Sequence, residues 1–519
     1  MVDWLTLTFT IIITISLIIA NIYLLAYYCH PDDKGTAMGI IMKVFVVIGL
    51  GLAWAQVLMV PLDVSNNRTF GGGLDMKLFW FIIFMASVVY VLFFFPILTG
   101  LYETDPDWSC CDKFKHSLCC FICTMVVIVA IGLILYFTIG NANIPIDSIY
   151  CQMTTSNIQD SSATVLTVAS CDYDTDTKIE VEVSFVIYCV AVMSFISWFI
   201  FAIFGGIGLA AIPLDFFHDF CTRPKTIKSE EIEDRRKELL RNIDELKLLG
   251  EKVKDMEDKG YNKEFIWSKK RRNYNKKNHE FKAGAVLAEK EFYVINIAQE
   301  MKQEQCYLIC YFLLIPFGII TSIITILWII QFICTYFYMK DHRRAGYPFL
   351  SYMFIYFQDH NVAFLSFIFF SIFCLYLLWA TMKGNIKFGV RFLCCWSVHP
   401  MKKDETYMNS FLFNVSLILL GSISITQFCA NSFPDYVTFT DIDMIFNVQI
   451  KYLDFFVWFY KYHVFEYILF GIFVISLIYL LLRPRDQVTA EMIYDKKKVA
   501  DEEIKLKSNN ISKDFKELK

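Results

Sequence analysis

Nine strongly apolar segments, each close to the length needed to cross a bilayer, fix the solvent of this chain before any motif is considered. They run at about 4–28, 37–60, 78–99, 119–139, 183–212, 307–337, 362–382, 411–429 and 464–482. A hydrocarbon core about 30 Å thick takes ~20 helical residues. Lipid supplies no hydrogen-bond partners, so each segment must satisfy its own backbone as a helix. The expected fold is therefore an all-α polytopic membrane protein of about nine transmembrane helices, with the lipid bilayer as its first partner. Charged residues make up only 19% of the chain, against about 25% in a soluble domain. A net charge of -4 gives no basic surface for nucleic acid.

The first apolar run lacks a basic leader, starts at Asp3 and is too long for a signal-peptide core, so it reads as a first span. Lys and Arg concentrate in the loops at 29–36, 100–118, 213–306 and 383–410 and in the tail, which predicts an N-terminus outside and a C-terminus in the cytosol. The loop 338–361, with Lys340, Arg343 and Arg344, goes against that bias. Four regions follow: a five-helix membrane region 1–212, a cytosolic insertion 213–306, a four-helix membrane region 307–482 and a charged tail 483–519. A sequon, Asn67-Arg68-Thr69, falls on the outer side and makes Asn67 a glycosylation candidate.

The 17 cysteines sort by this topology. Cys151 and Cys171 share the longest outer loop, where an oxidising compartment would let them pair. Cys334 and Cys429, near the outer ends of the sixth and eighth spans, are a second candidate bridge. Cys110, Cys111, Cys119, Cys120 and Cys123 crowd the inner start of the fourth span, and Cys394 and Cys395 lie in an inner loop; palmitoylation and plain burial both suit such positions. Neither cluster has the CxxC and His spacing of a zinc site, and no cofactor is implied.

Within the insertion, Ile232, Leu239, Leu246 and Val253 recur at seven-residue intervals, flanked by Ile243, Leu249 and Met256. A second stretch carries Phe281, Val286, Leu287, Phe292, Ile295 and Ile297. Two such helices are expected to pair as an antiparallel hairpin, each covering the other's stripe. The linker at its tip holds Lys269, Lys270, Arg271 and Arg272, followed by Lys276 and Lys277, a cluster that suits either anionic lipid or solvent.

A short pattern recurs at the expected span ends: Pro61-Leu62-Asp63, Pro145-Ile146-Asp147 and Pro213-Leu214-Asp215. Proline cannot continue a helix and the aspartate can cap the next turn, so each copy reads as a membrane-edge stop. The first two copies suggest a parallel repeat of spans one-two and three-four. Gly205, Gly206 and Gly208 allow close approach or a bend in the fifth span, and Pro96 and Pro316 are expected to break the third and sixth. The glycines and Pro316 are candidates for a gate or for tight packing. Gln56, Gln331, Asn414 and Gln427 are expected to hydrogen-bond between helices.

The nine-span layout, the large insertion after the fifth span, the words Pro61-Leu62-Asp63-Val64-Ser65 and Gly205-Gly206-Ile207-Gly208-Leu209-Ala210-Ala211-Ile212-Pro213-Leu214, and the following Arg223-Pro224 resemble the limb-region, lipocalin-receptor-like membrane protein family. That family also contains the lysosomal cobalamin-export protein. The long glycosylated outer loop of cobalamin-type members is replaced here by an aromatic-rich stretch without a sequon, 433–462. The resemblance implies a receptor or transport role in the plasma membrane or an endolysosomal membrane.

All eight His lie in loops or at span ends, and no Asp or Glu falls in the middle third of a span. Proton-transferring catalysis within the bilayer needs such groups, and no GxxxxGK loop is present, so an enzyme is not expected. Two classes remain. One is a receptor or transport accessory that takes up or senses an unknown ligand and recruits cytosolic or membrane partners through the hairpin. The other is a channel or transporter of lipid or small solute with a groove between helices, for which a ring of charge or a continuous polar stripe is expected.

Overall fold

The computed structural model of the chain describes residues 4–30, 33, 37–70, 73–104, 108–145, 148–157, 164–174, 178–223, 228–261, 268–303, 305–338, 349–360, 362–387, 391–392, 396–397 and 406–482. Among these residues nine helices are long and apolar enough to cross a membrane. The chain divides into two compact units, one of residues Met1–Pro213 and Thr321–Leu482, the other containing Leu214–Ile320.

The first spans are α1 (Trp4–Tyr28), α2 (Ala37–Phe70) and α3 (Met76–Val89), which continues through a π-helical turn, Tyr90–Phe94, into α4 (Phe95–Glu103). The fourth span is α5 (Cys110–Ile139). Strands β1 (Asn141–Pro145), β2 (Ser148–Asn157), β3 (Thr164–Asp174) and β4 (Lys178–Glu182) form two antiparallel pairs, β1 with β4 and β2 with β3. The β2–β3 register sets Cys151 opposite Cys171. Directly opposed antiparallel residues lie about 4.5–5.5 Å apart at Cα, a separation a disulfide spans.

The fifth span is α6 (Phe185–Cys221), and α7 (Ser229–Asp258) and α8 (Lys269–Gln303) form the insertion. Then come α9 (Gln305–Ile333) with a π-helical end, Cys334–Tyr338, a short α10 (Phe349–Asp359), and the spans α11 (Ala363–Lys387) and α12 (Met408–Ser432). After α12 the chain makes only short elements, α13 (Pro434–Val437), α14 (Asp441–Asp443), a π turn at Met444–Ile450 and α15 (Val457–Lys461), before the last span, α16 (Val464–Leu481).

Proline does not stop the helices where expected. α2 runs through Pro61 to Phe70, and α6 runs through Pro213 to Cys221. Proline removes one backbone donor and crowds the preceding turn, but a membrane helix that breaks must bury still more unpaired groups, so helix continues. Asp63 and Asp215 therefore lie inside helices and not at exits. Pro145 ends strand β1, and Asp147 lies outside the described residues. With one copy in a helix and one in a strand, these two copies share no local structure. Pro316 likewise sits inside a continuous α9, and Pro96 directly after the π-helical turn of the third span, where the i→i−4 ladder is already interrupted.

The glycines of α6 serve packing. A side chain at Gly208 would run into the Ala380 carbonyl, and one at Gly384 into the Phe204 carbonyl, so α6 and α11 meet backbone to backbone. Small residues permit this approach in lipid, where dispersion contacts drive helix association. α12 lies at the centre, buried along most of its length. Gln56 on α2 accepts from Ser422 Oγ at 2.9 Å, and Gln427 accepts from Ser194 Oγ at 2.6 Å and Trp198 Nε1 at 2.7 Å. Gln331 Nε2 donates to the Ser432 carbonyl at 2.6 Å. Asn414 donates within its own helix to Ser410, while its carbonyl accepts from Asn385 at 3.3 Å. Cys334 and Cys429 are both free thiols, so the second candidate bridge is not made.

In the other unit, α7 and α8 pair antiparallel: Val253 and Met256 pack on Tyr274, Gly250 on Phe281, and Leu246 on Gly284. The expected mutual coverage is only partial. Leu239, Val253 and Met256 on α7 are buried, as are Val294, Ile295, Ile297 and Ala298 on α8, but Ile243, Val286, Leu287 and Phe292 are exposed. The seven-residue series itself stays on the seam, Leu239 and Val253 buried and Leu246 on Gly284, while Ile243, off that series, faces outward. The basic cluster is not in a linker; Lys269 to Arg272 form the first turn of α8, with Lys270 Nζ 5.3 Å from the Tyr261 ring.

Candidate ligand cavity at the ends of the sixth, eighth and ninth spans

The aromatic-rich stretch between α12 and α16 folds back as a cap. Its turns require two non-glycine residues with left-handed backbone, Phe439 (φ 68°) and His463 (φ 52°), an uncommon conformation that a surrounding structure must impose. Three sets of contacts impose it. Asp63, fully inside α2, accepts from Trp80 Nε1 of α3 at 2.8 Å and from the Ile442 N–H of the cap at 3.0 Å, both on one carboxyl oxygen. Asn67 donates its side-chain amide to the Phe439 carbonyl. Asn143 of β1 donates to Asp454 at 2.6 Å, and its backbone N–H to the Tyr452 carbonyl at 3.0 Å. The nitrogen that a glycan would occupy on Asn67 is thus engaged by the cap.

Beneath the cap lies a cavity of about 380 Å³, within the range of small-molecule sites. The π-helical end of the sixth span contributes Thr335 and Tyr336, and the last turns of α12 contribute Gln427 and Asn431. The cap contributes Asp443, Asn447 and Lys451, and His463 closes the wall. Next to His463, in the first turn of α16, Glu466 has no exposed surface and its carboxyl oxygens accept no hydrogen bond. His463 Nδ1, 3.8 Å from Oε1, is its paired neighbour. Burial pushes the Lys451 amine down, while Glu466 and Asp443 act to raise it. Burial also pushes the Tyr460 hydroxyl up.

A different aspartate clasps the opposite end of the bundle. Asp33, buried, accepts from Tyr102 at 3.0 Å and from the Met408 N–H that opens α12, and its carbonyl takes Lys43 Nζ at 2.8 Å. Lys43 is therefore a structural donor. A second cleft of about 690 Å³ at the cap side is mainly apolar, lined by Leu78, Phe81, Phe84, Val190 and Met444, with Asp75 and Lys77 alongside. On the hairpin, a groove of about 550 Å³ runs between Leu239, Leu246 and Leu249 of α7 and Gly284, Leu287 and Glu291 of α8. Among the described residues no cluster of His, Cys, Asp and Glu could hold a metal ion.

The structure gathers few of the residues that sequence reasoning picked for function. Gly205, Gly206 and Gly208 belong to helix packing, Asp63 to the cap clasp, and Cys151 and Cys171 to a ladder whose side chains lie outside the description. Gln427 alone of the polar picks reaches the cavity wall. Glu466 and His463 were missed because charges within a few residues of a span end read as interface residues, and Lys451 because it lies in an aperiodic stretch between spans. A signal was available: Glu466 lies two residues inside a span, with a histidine three before it.

A family model described as LMBR1-like membrane protein matches residues 6–305 of this chain. The chain belongs to that family. A LIMR family protein of Dictyostelium discoideum is 29% identical over 521 residues, 94% of this chain and 99% of the relative. Similar LIMR family proteins occur in Arabidopsis thaliana, 30% identical over 88% of this chain and 91% of the relative, and in Oryza sativa subsp. japonica, 28% identical over 90% and 94%. No solved structure matches this chain. The family resemblance read from the nine spans and the glycine-rich word of α6 is borne out, and this LMBR1-like protein is an integral membrane protein.

Proposed function

We propose that this LMBR1-like protein is a multi-pass receptor or transport-accessory protein that takes up or senses a ligand beneath the cap and recruits cytosolic partners through the α7–α8 hairpin. The polar cavity carries this reading, because Asp443, Lys451, Asn431 and His463 converge on one space beneath the cap, and a concave site with a few converging polar groups is the usual form of a ligand site. The hairpin adds support, since Leu240, Ile243 and Leu248 on α7 and Leu287 and Phe292 on α8 stay exposed and exposed apolar surface marks interaction sites. With the N-terminus outside, as the loop charges predict, the hairpin lies in the cytosol, where its partners are.

Replacing residues 227–301 by a flexible linker and labelling neighbouring proteins in cells tests the recruiting role. Normal membrane insertion and thermal stability with loss of cytosolic neighbours is the expected result. Failure of the spans to assemble would make the hairpin a brace and remove the receptor reading. A transporter is the second reading, favoured by the polar residues that line α12 from Gln427 through Ser424 to Ser422. Solute flux through the purified protein in proteoliposomes would select it.

A further inference from the structure

We propose that the inner end of α5 is a site of S-acylation, at which Cys119, Cys120 and Cys123 carry long-chain fatty acyl groups as thioesters. This goes beyond the receptor reading and does not depend on it.

Five of the fourteen residues from Cys110 to Cys123 are cysteine, and three common uses of such a cluster are not taken up. Cys111, Cys119, Cys120 and Cys123 are free thiols, so they are not bridged. Among the described residues no group of His, Cys, Asp and Glu could hold a metal ion. Nor do these thiols fill a core, for all four are exposed.

Other residues fix which side of α5 faces protein. Ser117 is buried, and its hydroxyl donates to the Ile97 carbonyl of α4 at 2.9 Å, while Phe121 packs on Phe93 with ring centroids 5.5 Å apart. Each helical residue turns the side chain by about 100°, so Cys119, two residues from both Ser117 and Phe121, projects on the opposite side. Cys123 follows one turn later on that side, with Cys120 next to them. The same stripe runs on through Ile122 and Val126, 51% and 64% exposed. In a span so little covered by protein, this stripe is the surface that lipid solvates.

The preceding turn sets the depth. Lys113, Lys115 and His116 come just before the thiols, and basic residues beside a span mark its cytosolic headgroup layer. The His116 ring lies against Trp108, centroids 5.5 Å apart, and tryptophan concentrates at that same interface. Cys119 is thus where the lipid-facing stripe enters the hydrocarbon. An acyl chain attached there lies along Ile122 and Val126, whereas one attached at Cys111, about 12 Å further out along the helix, would have to cross the headgroups.

The chemistry is thioester exchange. The cysteine sulfur attacks the carbonyl carbon of a long-chain acyl-coenzyme A, the new C–S bond forms as the bond to the coenzyme's sulfur breaks, and the thiol proton passes to the departing thiolate. No oxidant or reductant is needed. The nine described spans already hold the chain in the bilayer, so the acyl groups add lipid-soluble surface to α5 and are not its anchor.

The test uses the full chain expressed in eukaryotic cells fed an alkynyl palmitate, read by click labelling and by mass spectrometry of the peptide spanning residues 110–123. Label that neutral hydroxylamine removes, as a thioester requires, should appear on one or more of Cys119, Cys120 and Cys123. The combined variant Cys119→Ser, Cys120→Ser, Cys123→Ser should lose most of the label yet stay in carbonate-washed membranes, whereas Cys111→Ser should keep it. Mass spectrometry of the wild-type peptide assigns the sites directly, so a combined variant that misfolds leaves the proposal open to refutation. An unmodified peptide, label that resists hydroxylamine, or label borne by Cys111 or by cysteines elsewhere in place of these three would overturn it.

Discussion

The fourth and eighth spans are both membrane helices, yet they obey opposite rules. α5 is the most apolar of the nine and the least covered by protein, whereas α12 is the least apolar and the most buried. In water the most hydrophobic helix would be innermost. In lipid the tails solvate Ile and Val as well as a core does, so apolarity marks the outside, and assembly is left to small residues and hydrogen bonds. The serines and glutamines at α12 are what give the bundle one arrangement.

Substitutions in the packed interior and on lipid-facing α5 should therefore differ in a fixed order. Gly208→Val forces a side chain into the Ala380 backbone and should cost about 3 kcal/mol, seen as loss of a monodisperse species on size-exclusion chromatography. Asp63→Ala strands two buried donors, Trp80 Nε1 and the Ile442 N–H, and should cost about 2 kcal/mol; Asp63→Asn, which keeps one oxygen, should cost less in the same melting experiment. Gln56→Leu removes the acceptor of Ser422 and should cost about 0.6 kcal/mol, the usual worth of one interhelical hydrogen bond in lipid. Ile131→Ala on α5, where Ile131 is 53% exposed, should leave the melting temperature within error, because lipid surrounds that position before and after assembly. A large effect at Ile131, or none at Gly208, would break the contrast.

The spans were legible because twenty apolar residues admit one solution in a bilayer, and the family words lay among them. Helix ends were not, since Pro61 and Pro213 were judged by the rules of water, where a broken helix finds solvent for its backbone. The cap escaped notice for a different reason: residues 433–463 form short turns, a π turn and two left-handed residues, none of which leaves a period in the sequence. The cavity went with it, because its wall is assembled from segments distant in sequence, Thr335, Gln427, Lys451 and His463 among them. On α8 the apolar spacing was visible but its facing was not, so Val286 and Leu287 were assigned to a seam they do not enter.

The reciprocal contact of Gly208 with Ala380 and of Gly384 with Phe204 has a mechanical meaning. Backbone resting on backbone leaves no side chain to change rotamer and no slack to take up, so α6 and α11 behave as a fixed axle. Gly206 extends the same contact to α16, where an added side chain would meet the Leu469 carbonyl, so the axle holds a third helix at backbone distance.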